Sequence, residues 1–329
     1  MKRIAHNRIT RTATGKLQPR LKHARWRLNR VTKQLAFAKD TRSVVSGYGQ
    51  TSFPAHTIWR SEETAVAVVL HLYYVDMWPM FVERLAALKS QPFDIFVSVS
   101  LANKDFASEI KKTYPGAHVF AVPNRGRDVM PFMMLLPHLH KAGYQYILKF
   151  HSKKSTHRTD GSEWFTGIID NLLPTNKKVM QQLLDALSRK ETGVIGPSGE
   201  YLSLEVNFPA NHFGVVRIMS KLFGKKVGQR IADHKEDYGF IAGTMFWARM
   251  DALAPALRLR LKPWSFDPEE GQIDATIAHA LERVFTLIPE IEGRDIYEVD
   301  NRGLTKIAAY NSGKIPDWSD VYIGPQPKS

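Results

Sequence analysis

Residues 118–151 read HVFAVPNRGRDVMPFMMLLPHLHKAGYQYILKFH, and the order of patterns in this stretch decides the fold. A short apolar run, His118 to Pro123, leads into a polar loop with one glycine. Val129 to Lys141 then has helical periodicity, and a second apolar run follows from Tyr146 to His151. Strand, loop, helix, strand is the unit of a parallel sheet, whose strands are covered on both faces and so lack the polar alternation of a half-exposed sheet. The same alternation precedes this unit. Strands are expected at Ala65 to Leu72 and Ile95 to Ser100, with helices at Trp78 to Lys89 and Lys104 to Lys112. The chain from Thr64 onward is therefore read as α/β. Right-handed crossovers bring the four strand ends to one rim, where open α/β sheets bind ligands.

The second half is less regular. Val179 to Arg189 reads as a helix, Gly193 to Pro197 as a short strand, Ile241 to Trp247 as a buried strand and Gly271 to Phe285 as a helix. Residues 301–329, with Pro, Gly and Ser spread through them, read as a loose tail. The expected division is 1–62 for a basic helix and linker, 63–300 for the catalytic domain and 301–329 for the tail.

With 329 residues, 43% apolar and 24% charged, the chain can bury a large core. It has no cysteine, which excludes disulfides, thiolate metal sites and a cysteine nucleophile. Its longest apolar run, Thr64 to Leu72, is far short of the roughly 20 residues that cross a bilayer. The net charge of +14 is concentrated: residues 1–45 hold 13 Lys and Arg against one acid, Asp40. In that segment Leu17, Leu21, Ala24, Leu28, Val31 and Leu35 fall on one helical stripe, with basic residues on the other faces. Such a helix suits an anionic membrane surface. It equally suits a surface helix packed on the domain. The expected location is cytoplasmic and peripheral, on the inner face of the cell membrane.

Three groups of residues sit where chemistry is expected. After the third strand come Asn124, Arg125, Gly126, Arg127 and Asp128, just before a helix. Arginines and a flexible glycine at a helix N-terminus suit a phosphate or diphosphate, while the competing reading has Asp128 capping the helix and the arginines in solvent. After the fourth strand come His151, Ser152, Lys153 and Lys154, which put two fixed positive charges and a titratable imidazole on the rim. A solvated charge run is the alternative there. The third group comprises Trp247, the acidic loop with Glu269, Glu270 and Asp274, and the helical positions His279, Glu282 and Arg283, which share a face. This last group reads either as a surface salt-bridge cluster or as the source of a general base.

The strings NRGRDVMPF, KFHSKKS, AGTMFWAR and GQIDATIAHALER, in this order and spacing, resemble the rhamnan synthesis protein F family of bacterial polysaccharide assembly proteins. The resemblance runs from about Val66 to about Ile288. It implies a glycosyltransferase A type fold, a Rossmann-like sheet followed by an acceptor-binding half. It also implies a glycosyltransferase, commonly a rhamnosyltransferase, that moves a sugar from a nucleotide-sugar donor such as dTDP-rhamnose to a lipid-linked or oligosaccharide acceptor, as in O-antigen or rhamnan synthesis. On this reading Arg125, Arg127, His151 and Lys153 hold the diphosphate, Asn124 and Asp128 meet the nucleotide or ribose, Gly126 and Lys154 belong to the same donor site, and Trp247, His279 and Arg283 face the acceptor. Asp274 takes the acceptor proton, with Glu269 or Glu270 as substitutes. Many enzymes of that fold hold a divalent metal on Asp-x-Asp after the fourth strand. Here the position reads His151-Ser152-Lys153, so no metal is expected and the cations are left to stabilise the departing diphosphate. Two other functions compete. One is a nucleic-acid-binding protein, suggested by a sequence pI near 9.8 but opposed by a nearly neutral body without any nucleic-acid module. The other is a non-catalytic scaffold of an assembly complex.

Overall fold

The structure is a computed structural model that describes residues 60–61, 64–89, 91–154, 161–272 and 274–307. The expected basic helix, almost all of the expected linker and residues 308–329 of the expected tail lie outside the described residues.

The first half forms as its pattern dictates. Strands β1 (Val66–Leu72), β2 (Phe93–Ser100), β3 (His118–Val122) and β4 (Tyr146–His151) are all parallel. Every residue of β1 is buried, since the strand has helices on both of its faces. The crossovers are α1 (Trp78–Leu85, continued by a 3₁₀ turn), α2 (Ala107–Thr113) and α3 (Val129–Ala142). Gly143 ends α3 at φ +83°, the left-handed conformation that closes a helix.

The second half supplies α4 (Gly161–Leu172), α5 (Lys177–Ser188), β5 (Thr192–Pro197), β6 (Tyr201–Ser203), α6 (Leu204–Phe223), α7 (Lys225–Asp233), β7 (Gly239–Ile241), β8 (Phe246–Arg249), α8 (Met250–Leu253), α9 (Ile277–Ile291), β9 (Asp295–Asp300) and β10 (Gly303–Lys306). One mixed sheet has the order β10-β9-β5-β8-β4-β1-β2-β3, and β6 pairs with β7 separately. Within the large sheet β8 runs antiparallel to both neighbours. Alternate residues of β1 feed two cores: Ala67 and Val69 pack with α3, α6, α7 and α9, while Val66, Val68, Leu70 and Leu72 pack with α1, α4 and α5.

Three expectations are corrected here. Ile241 to Trp247 is not one strand: Gly243 at φ +80° and Thr244 at φ +53° turn the chain, so β7 ends in the small sheet and β8 begins in the large one. The helix expected from Gly271 starts at Ile277, because Thr276 caps it by accepting from the His279 N–H. Finally, residues 303–306 of the expected tail form β10 against β9.

The strand order reverses between β1 and β4, on whose ends His71 and His151 are register partners. Ligand sites in open α/β sheets form outside the strand ends at such a reversal.

Candidate functional site

A cavity of about 310 Å³ opens above the ends of β1 and β4. The loop after β3, the 242–244 turn and the first turns of α9 surround it.

Its floor is built on a lysine inside a buried strand. Lys149, 1% exposed, points to the side of β4 that carries α3 and donates to Asp128 Oδ2 at 2.5 Å, to the Thr244 carbonyl at 2.8 Å and to Thr244 Oγ1 at 3.1 Å. Thr244 Oγ1 also donates to Asp128 Oδ2. The positive φ of Thr244 thus turns both its hydroxyl and its carbonyl onto the ammonium. Burial alone would raise the Asp128 carboxyl, yet electrostatic interaction with His151 and with the Lys149 ammonium, together with the Lys149 and Thr244 hydrogen bonds, holds it well below the usual range. Burial lowers Lys149, while the Asp128 carboxylate opposes that shift. We read the pair as ionised, with Lys149 as the group that keeps Asp128 charged.

Three imidazoles line the cavity. Burial pushes His71 down to about 4, His151 to about 3 and His279 to about 4, so all three are neutral near pH 7. His151 Nδ1 stands 3.6 Å from Asp128 Oδ2, beyond hydrogen-bond reach, and has no partner among the described residues. His71 Nδ1 lies 2.9 Å from Ser98 Oγ. His279 Nδ1 lies 2.7 Å from Thr276 Oγ1 and 3.4 Å from the Thr276 N–H. Its Nε2 is buried, and it too has no hydrogen-bond partner among the described residues. The interior therefore offers polar nitrogens to a ligand without a fixed charge at any of them.

The rim is cationic. Lys154 pairs with Asp76 and lies over the Tyr74 ring. Arg127 reaches both oxygens of Glu269, at 3.2 and 3.3 Å, and donates to the Gln272 carbonyl. Lys153 sits over the Trp164 ring at 4.9 Å and has no carboxylate partner among the described residues. Ala278, His279 and Glu282 of α9 form a further wall.

Of the residues expected from the sequence, Asn124, Arg127, Asp128, His151, Lys153, Lys154, Glu269 and His279 line this one cavity. The others are placed elsewhere. Arg125 is buried and its guanidinium donates to the Phe266 carbonyl, so it braces the 263–272 loop instead of facing a diphosphate. Gly126 donates its N–H to the Asp267 carbonyl and lacks a side chain because a Cβ would lie 2.5 Å from the Phe266 ring. Asp128 does not cap α3 with its side chain. Trp247 is fully buried and donates to the Leu172 carbonyl in the core. Arg283 is buried behind the wall, stacked on Phe240. Asp274 lies outside the cavity lining and off the helix, accepting from Asn211 at 2.7 Å and from the Ala275 N–H. Glu270 is exposed on the loop.

Sequence reasoning gave no role to His71, Lys149 or Thr244, and it named Glu282 only as a member of the third group, without choosing it as the base. Lys149 left a readable signal, because a lysine in the middle of the buried run YILKFH must find a carboxylate. His71 left a weaker one as the polar residue at the end of an apolar strand.

A Rossmann-like sheet extended by antiparallel strands, with its cavity at the reversal of strand order, is consistent with a glycosyltransferase A type fold. A model of the rhamnan synthesis protein F family matches residues 38–293, and the chain belongs to that family. It is also 29% identical over 244 residues to the uncharacterized protein WxcX from two strains of Xanthomonas campestris pv. campestris, a match that covers 74% of this chain. The chain spans about a third of the length of those relatives, the matched region being 34% of each. Among the described residues no helix is long and apolar enough to cross a membrane, and no group of His, Asp and Glu could hold a metal ion.

Proposed function

We propose that the cavity is the donor site of a glycosyltransferase that transfers a sugar, rhamnose in the leading case, from a nucleotide sugar to a growing bacterial polysaccharide. The observation that carries this reading is the layering of charge. The interior presents neutral imidazoles and polar hydrogen-bonding atoms, which suit hydroxyl-bearing sugar, while Lys153, Lys154 and Arg127 lie on the rim, which suits a diphosphate. Lys153 is the donor ligand of first choice, since Lys154 and Arg127 already share their charge with Asp76 and Glu269. In this assignment the rim lysines supply the positive charge that the leaving diphosphate needs, and no resident metal is invoked. The lipid-linked or oligosaccharide acceptor would enter from the α9 side. The apolar stripe from Leu17 to Leu35, with basic residues at the positions between, supports docking at an anionic membrane on the cytoplasmic face.

Equilibrium titration of the full chain with dTDP-rhamnose, beside UDP- and GDP-sugars and free rhamnose, tests the reading. One sugar nucleotide should bind well above the rest, and Lys153→Ala should weaken it by about 10- to 100-fold, the loss of one charge-assisted contact of about 1.5–3 kcal/mol. Absence of binding by every sugar nucleotide, or an unchanged affinity in the variant, would refute it.

A further inference from the structure

The cavity contains a carboxylate that matches the remaining requirement of the reaction. We propose that Glu282 is the general base that takes the proton from the incoming hydroxyl. This rests on the glycosyltransferase reading of the cavity.

Four carboxylates compete. Asp128 is locked in the floor by Lys149 and Thr244. Glu269 is paired through both oxygens with Arg127, one of the rim cations assigned to the diphosphate, which places it on the donor side of the cavity. Asp274 is outside the cavity lining and holds Asn211. Glu282 lies on α9 in the cavity lining, beside the 242–244 turn. Two contacts fix its direction. The Gly243 N–H donates to Oε1 at 2.6 Å, and Arg283 Nη1 donates to Oε2. Arg283 is itself held by the His279 carbonyl at 2.9 Å and by the Phe240 ring. A carboxylate accepts up to about four hydrogen bonds, so both oxygens keep capacity for a hydroxyl.

The left-handed turn at Gly243 and Thr244 serves both groups: one residue orients Glu282 and the next completes the Lys149 floor. Burial raises the Glu282 carboxyl above its ordinary value, toward the range where a base is effective near neutrality. The charged groups that act on it are Arg283 and Lys153, which lower it, and Asp128, which raises it; Lys149 also lies within electrostatic range.

In the step itself, the hydroxyl oxygen bonds to the anomeric carbon as the bond from that carbon to the diphosphate oxygen breaks. The bonding pair leaves on the nucleoside diphosphate, next to the rim lysines. The hydroxyl proton passes to Glu282 and then to solvent. With water as acceptor, the products are free sugar, nucleoside diphosphate and one proton.

The full chain and its Glu282→Gln and Asp274→Asn variants are assayed with dTDP-rhamnose for donor affinity, hydrolysis and transfer to added azide. Azide is a nucleophile that carries no proton and so needs no base. Glu282→Gln should keep donor affinity within about 3-fold, lose hydrolysis by about 10²- to 10⁴-fold, and regain turnover as rhamnosyl azide when azide is added. Wild-type turnover should fall on the acid side as the Glu282 carboxylate is protonated, and the variant should lack that fall. Asp274→Asn should hydrolyse the donor within a few-fold of wild type. Normal hydrolysis by Glu282→Gln, donor binding without azide rescue, or loss of donor binding would each overturn the base assignment. Azide rescue confined to Asp274→Asn would transfer the role to Asp274. A wild-type chain that neither binds nor hydrolyses any sugar nucleotide would instead sink the reading of the cavity and, with it, this inference.

Discussion

Replacing Lys149 by Met tests whether the buried ion pair is the keystone of the site. Methionine fills nearly the same volume between the Phe132 and Phe246 rings, which lie 5.4 and 6.0 Å from the ammonium. What is lost is three donated hydrogen bonds, at 2.5, 2.8 and 3.1 Å. Asp128 is left with the Thr244 hydroxyl and an imidazole 3.6 Å away. Removing one partner of a buried pair typically costs about 3–5 kcal/mol, because the remaining charge is uncompensated. For a domain of this size that corresponds to a melting temperature lower by roughly 10 °C. Asp128→Asn should cost a similar amount. The double variant Asp128→Asn/Lys149→Met removes both charges and should recover at least about 2 kcal/mol relative to the sum of the single changes. Urea unfolding monitored by tryptophan fluorescence, with unchanged m-values, measures all three. A single-variant cost below about 1 kcal/mol, or strictly additive costs, would refute the keystone argument.

Gly126→Ala should destabilise by at least about 2 kcal/mol, since its backbone has φ +57° and the new methyl would lie 2.5 Å from the Phe266 ring and 2.8 Å from Met130 Cβ; denaturant titration reads it, and a neutral result would mean that the 263–272 loop yields freely. Acid should unfold the protein early. His71, His151 and His279 titrate near 4, 3 and 4 when folded and near 6.5 when unfolded, so below pH 6.5 the unfolded chain binds more protons, and stability present above that value is lost as pH falls toward 4. Each imidazole contributes up to about 1.4 kcal/mol per pH unit, and His151→Gln should flatten the fall by about a third, as unfolding at a series of pH values will show.

The first half of the fold was legible because each strand there is a short buried run bounded by turn residues. Its register, crossovers and rim follow from one repeated unit, and the observed limits of β1 to β4 differ from the expected ones by no more than two residues. The second half resisted for a physical reason. Tyr201–Ser203 and Gly239–Ile241 are strands of only three residues, too short to show a period, and they owe their existence to pairing with each other. The break inside Ile241 to Trp247 depends on two left-handed residues, and the second is a threonine, which no local rule places there. Helix α6 contains Gly214, against Ala280 of α9, and Pro209, both of which read as breaks in a sequence.

The same physics governed the site. Apart from His71, residues placed at the cavity by strand ends were found, because a strand end is a position that the sequence reveals. Residues placed by a tertiary contact were not. Arg125 and Arg127 are two positions apart with the same side chain, yet one braces Phe266 and the other faces the cavity. Glu282 and Arg283 read as part of a salt-bridge cluster, and they do pair; the Gly243 N–H, brought in from the 242–244 turn, adds the second contact that fixes the carboxylate, and no sequence pattern shows it. The two halves of the domain are therefore unequal contributors to what the sequence reveals and equal contributors to the site. The parallel half supplies the cations and the floor, and the half ordered by long-range pairing supplies the wall and its carboxylate. A substitution in the turn, such as Gly243→Ala at φ +80°, acts on both halves at once, since it strains the segment that orients Glu282 and holds Thr244 on Lys149.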